Sequence, residues 1–105
     1  MIITHLNSGR KAKFTLEGTT LNIGILSIDL QERQGDVQRV IDVCLDTTYT
    51  AQEGVGAWYV ATIIIPSREY QLVENDNSET SIVPMSLDVS KVEIRLWALP
   101  EGVEL

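Results

Sequence analysis

The chain has one cysteine, Cys44, and one histidine, His5, among 105 residues. A lone cysteine excludes an internal disulfide and fits a reducing compartment, and one His with one Cys cannot complete the usual ligand set of a structural zinc centre. Basic residues are also few, 8 Lys and Arg against 15 Asp and Glu, for a net charge of -7. Nucleic-acid binding normally rests on clustered cations and released counterions, so no nucleic-acid partner is expected. No apolar run approaches the roughly 18 residues needed to cross a bilayer as a helix. The first sixteen residues contain no positive stretch followed by an apolar one, so the expectation is a cytoplasmic protein with no membrane contact.

Motifs that carry chemistry are missing as well. The seven glycines form neither a dinucleotide-binding fingerprint nor a phosphate-binding loop. There is no Gly-x-Ser-x-Gly turn to expose a serine nucleophile, and no family-specific cysteine motif. His5 therefore reads as a structural or solvent-facing residue, and Cys44 as a packed thiol whose neighbours Asp42 and Asp46 would raise its pKa if they share its face. The run Glu74, Asn75, Asp76, Asn77, Ser78, Glu79 is rich in oxygen ligands, but it lacks the spacing and central glycine of a calcium-binding loop and reads as a hairpin turn. No catalytic, cofactor-binding or metal residues are assigned, no cofactor is expected, and the chain is not expected to be an enzyme.

What the chain does have is a 44% hydrophobic content spread along its whole length, enough for one domain over residues 1–105. Turn-forming residues recur at Asn7 to Gly9, Gly18, Gly35-Asp36, Glu53 to Gly56, Pro66-Ser67, Asn75 to Ser78 and Asp88 to Ser90. Between them lie segments rich in Val, Ile, Thr and aromatics. This is the pattern of an all-β, mainly antiparallel fold, a small sandwich or partly open barrel of about eight strands.

Individual segments refine the picture. Ala12, Phe14 and Leu16 alternate with Lys11, Lys13, Thr15 and Glu17, giving one dry and one wet face. Arg10, Lys11 and Lys13 would make this first hairpin locally basic. Leu21, Ile23 and Ile25 share one parity whereas Leu26, Ile28 and Leu30 share the other, which predicts a bulge or a passage between sheets near Gly24. Residues 37–46 also satisfy helical spacing behind Asp36, but three Val and one Ile favour a strand over this one short helix. Residues 57–65 are apolar on both parities except at Thr62, as in a central strand, and Pro84 marks residues 80–87 as an edge strand or a bulged one.

One residue-level candidate for function emerges from the last strand. Val92, Ile94, Leu96 and Ala98 form its apolar parity, leaving Glu93, Arg95, Trp97 and Leu99 on the opposite face as a protein interface anchored by Trp97. The expected function is a non-catalytic protein-interaction or assembly module that binds a protein partner or itself, such as a subunit of a larger oligomer or phage-type structural particle. The alternative is a small enzyme or ligand-binding barrel whose pocket residues lie far apart in sequence.

Overall fold

The computed structural model describes residues 1–105 and contains ten short strands. They are β1 (Ile2–His5), β2 (Phe14–Glu17), β3 (Thr20–Ile23), β4 (Leu26–Asp29) and β5 (Arg39–Leu45), then β6 (Ala51–Glu53), β7 (Trp58–Ile65), β8 (Tyr70–Glu74), β9 (Thr80–Pro84) and β10 (Glu93–Leu96). One helical turn, α1 (Leu30–Arg33), follows β4, and a 3₁₀ turn at Val89–Lys91 precedes β10.

The longest β-branched run sits where its composition directs it. β7 is the middle strand of a five-stranded sheet ordered β1-β10-β7-β5-β6, antiparallel throughout except for the parallel pairing of β1 with β10. Ile41 and Ile94 flank Ile63 across this sheet, and Val43 and Leu96 flank Ala61, so alternate residues of three strands build one buried face. A three-stranded meander, β2-β3-β4, contributes Leu21, Ile23 and Ile28 to the same core. The architecture is thus all-β and mainly antiparallel, with two layers around one core and no closed barrel.

Four details differ from expectation. Gly18, at φ +60°, opens the expected hairpin turn, but Gly24, at φ +57°, opens a second two-residue turn that splits residues 20–29 into β3 and β4, and this split together with β6 raises the total to ten. The parity flip at Gly24 is therefore a tight turn that leaves Ile25 at its exposed tip, not a bulge or a change of sheet. The real bulge lies in β7. There Val43 pairs with Ala61 but Cys44 pairs with Tyr59, so Val60 is the extra residue and is buried next to Ala61.

Residues 37–46 carry the strand favoured from their composition, and the short helix lies elsewhere. β5 is held on both sides by β6 and β7, with Ile41, Val43 and Leu45 facing the core, so the β-branched content prevails over the helical spacing. The short helix is instead α1, where the Asp29 carboxylate accepts the Glu32 N–H at 3.1 Å and Leu30 plugs into the core. Finally, because β1 pairs with β10, Arg10, Lys11 and Lys13 do not belong to a first hairpin. They lie on the connection between β1 and β2, which joins the two sheets.

The overall dimensions, 63 × 22 × 22 Å with a radius of gyration of 17.0 Å, are those of an elongated molecule. A compact chain of this length would have a radius of about 13 Å. The excess comes from β8 and β9, which pair only with each other and extend beyond the end of β7.

Candidate functional site

The β8–β9 hairpin is the least explained part of the fold in terms of its own stability. A two-stranded hairpin is marginal in water without a layer to pack against. In this one no strand residue is buried, and only Val83 is half-buried. Leu72 and Ile82 face each other across the strands yet remain 72% and 68% exposed. Tyr70 and Val73 are exposed as well, so apolar side chains stand bare on both faces of the ribbon.

The root of this arm, by contrast, is tightly held. Arg68 N–H donates to Gly35 O at 2.7 Å, its guanidinium donates to Gln34 O at 2.6 Å, and the buried Gln34 donates Nε2 to Pro66 O at 3.1 Å. Tyr70 hydroxyl donates to the Asp36 carboxylate, which also lies 3.5 Å from Arg68. On the returning strand, Met85 N–H donates to Glu69 O at 2.8 Å and Leu87 N–H to Gln31 Oε1 at 2.6 Å. These bonds set the direction in which the arm leaves the body. An element fixed in orientation loses less conformational entropy when something packs onto it.

At the tip, Asn75 Oδ1 accepts the N–H groups of Asn77 and Glu79, both at 3.0 Å, and Ser78 takes φ +60°. The oxygen-rich loop thus uses the Asn75 side-chain amide to close a turn. Glu74, Asp76 and Glu79 are left exposed around it.

Of the four residues of the expected β10 interface, Leu99 packs against the core. Glu93 and Arg95 lie on the outer face of the five-stranded sheet and pair at 3.0 Å, with Thr4 hydroxyl donating to Glu93 at 2.8 Å. The hydrogen bonds from Arg95 and then Thr4 hold the Glu93 carboxyl below its ordinary pKa. β10 ends at Leu96, although Trp97 N–H still reaches Val60 O at 3.0 Å. The Trp97 ring is half-buried and lies tilted against Tyr59, with centroids 5.1 Å apart.

His5 is exposed on the edge strand β1. Cys44 is fully buried in β5, and burial, more than the neighbouring Asp42, pushes its thiol pKa up. A protonated, covered thiol is a poor nucleophile.

The one sizeable concavity is a cleft of about 240 Å³ lined by Arg10, Lys11, Lys13, Leu99, Glu104 and Leu105. It brings the basic cluster together with two apolar side chains from the end of the chain. Comparison with protein-family models, curated proteins and solved structures finds no match for this chain.

The hairpin arm was the harder feature to read from sequence. Its turn and its proline-marked return strand are legible, but the missing cover is a tertiary fact. The available signal is that Leu72-Val73 and Ile82-Val83 place apolar residues on both parities while every flanking residue is polar or a turn former.

Proposed function

We propose that this chain is a non-catalytic interaction and assembly module, a subunit of a larger oligomer, and that the β8–β9 arm is its main contact element. One observation carries the reading: an apolar ribbon, bare on both faces, is held in a fixed direction by a hydrogen-bonded root. Large exposed apolar patches on a folded chain mark places where another molecule binds. A preformed hairpin also offers two strand edges to a partner strand. The Trp97–Tyr59 pair and the exposed Trp58–Tyr49 pair, 5.7 Å between centroids, supply further aromatic surface at the opposite end of β7. An enzyme or ligand-binding barrel finds less support, because the sheets do not close and the main cleft is walled mostly by charged side chains.

The test is a double variant, Leu72→Lys with Ile82→Lys, compared with wild type in two measurements. The unfolding free energy should hardly move, a change of about 0.5 kcal/mol or less, because neither side chain packs on the body. The complex recovered from the cells that make the protein should be lost or weakened by about 2 kcal/mol, the scale of an apolar anchor. A variant that keeps its full complex contradicts the proposal.

A further inference from the structure

The composition of the arm and of its opposite end names an occupant. Between Tyr70 and Pro84 the charged residues are Glu74, Asp76 and Glu79, with no Lys or Arg among them. At the other extreme, Arg10, Lys11 and Lys13 are the only Lys, Arg, Asp or Glu residues in the first sixteen. Behind the acidic tip stand the exposed Leu72 and Ile82, and beside the basic rim of the cleft lie Leu99 and Leu105. Arg10 is answered by Glu104 at 3.2 Å, and the Lys11 ammonium donates to the carbonyls of Asn7 and Gly9. Neither carbonyl neutralises Lys11, and neither Lys11 nor Lys13 forms an ion pair with a carboxylate.

Position supports the match. The arm continues from Ile65, the last residue of β7. The cleft lies past the first residues of that strand, where Trp97 N–H meets Val60 O and Leu99 N–H donates to Arg10 O at 2.7 Å. Acidic arm and basic cleft therefore occupy opposite ends of an elongated molecule, where they cannot satisfy each other within one chain.

We propose that the arm of one copy docks into the Arg10–Lys13 cleft of a second copy of this chain, head to tail. Glu74, Asp76 and Glu79 meet Lys11 and Lys13, while Leu72 and Ile82 approach Leu99 and Leu105. This rests on the interaction reading above and specifies the partner. Two copies that each carry a net charge of -7 repel in most orientations, so this pairing of ends is the approach that electrostatics favours. A contact between two different surfaces of one chain repeats, closing into a ring or continuing as a row.

The experiment uses sedimentation and light scattering over a range of concentrations on three proteins: wild type, an arm variant (Glu74→Lys, Asp76→Lys, Glu79→Lys) and a cleft variant (Lys11→Glu, Lys13→Glu). All five positions are at least partly exposed, and circular dichroism checks that each variant keeps the fold. Wild type should associate, and each variant alone should associate at least tenfold more weakly. An equimolar mixture of the two variants should recover association, because each reversed arm then finds a reversed cleft. Association indifferent to both reversals, or lost in both and not recovered on mixing, overturns head-to-tail docking. A wild type that stays monomeric at every concentration also overturns it. In that case the broader interaction reading is decided separately by the Leu72 and Ile82 variant in the cells that make the protein.

Discussion

Ile63→Ala is expected to lower folding stability by about 2–5 kcal/mol, a large share of the roughly 5–15 kcal/mol that holds a domain of this size together. Ile63 is fully buried at the centre of β7, with Ile41 on one neighbouring strand and Ile94 on the other. Truncation removes apolar surface from the middle of the core and leaves a void between three strands. The sheet cannot close that void, because hydrogen bonds to β5 and β10 fix the spacing on both sides of β7. Ile63→Val, which loses one methylene, should cost only about 0.5–1.5 kcal/mol. Urea unfolding followed by fluorescence checks both. A loss below about 1 kcal/mol for Ile63→Ala would mean that the core is not packed around β7.

Gly56→Ala should be strongly damaging for a single-methyl addition. A Cβ at Gly56 would stand 2.6 Å from the carbonyl oxygen of Leu45 and 2.9 Å from the Cβ of Cys44. The backbone angle there is not in the left-handed region, so the penalty is steric and comes from the close approach of the turn to β5. Relief would require moving a carbonyl that also accepts the Ala57 N–H at 2.8 Å. The expected loss is about 1–3 kcal/mol or more, as for overpacking at a rigid site. Gly54→Ala is the natural control. Gly54 has φ +98° but open space around it, so only its conformational penalty of about 1–2 kcal/mol applies. Thermal melts of the two variants separate the effects, and a Gly56→Ala protein no less stable than Gly54→Ala would contradict the close approach.

These two residues also show where sequence reading succeeds and where it stops. Ile63 was legible as core because an unbroken β-branched run ending at Pro66 has few places to go except the middle of a sheet. β5 was legible for a related reason, since Val and Ile restrict χ1 in a helix whatever their spacing. Gly56 was legible only as a turn former. That its missing side chain admits Leu45 and Cys44 depends on a strand eleven residues earlier in the chain. The Gly24 parity flip was visible but misassigned, because a two-residue turn and a bulge both shift the phase by one.

The candidate site was harder still. Alternation placed Glu93 and Arg95 on one face together, but it carried Leu99 with them past the point where β10 ends, and Leu99 packs against the core. Opposition between an acidic arm and a basic cleft depends on which end of β7 each occupies, and local pattern holds no record of that.

The β8–β9 arm is uncovered by its own chain, and the proposed assembly covers it with another. Amide hydrogen exchange, measured in the dilute chain and again in its assembled form, tests it most directly. In the dilute chain the amides of residues 70–83 should exchange far faster than those of β7, since no layer protects the hairpin. In the assembly the same amides should become protected while those of β7 change little. Arm amides as slow as those of β7 in the dilute chain, or equally fast in both forms, would contradict the account.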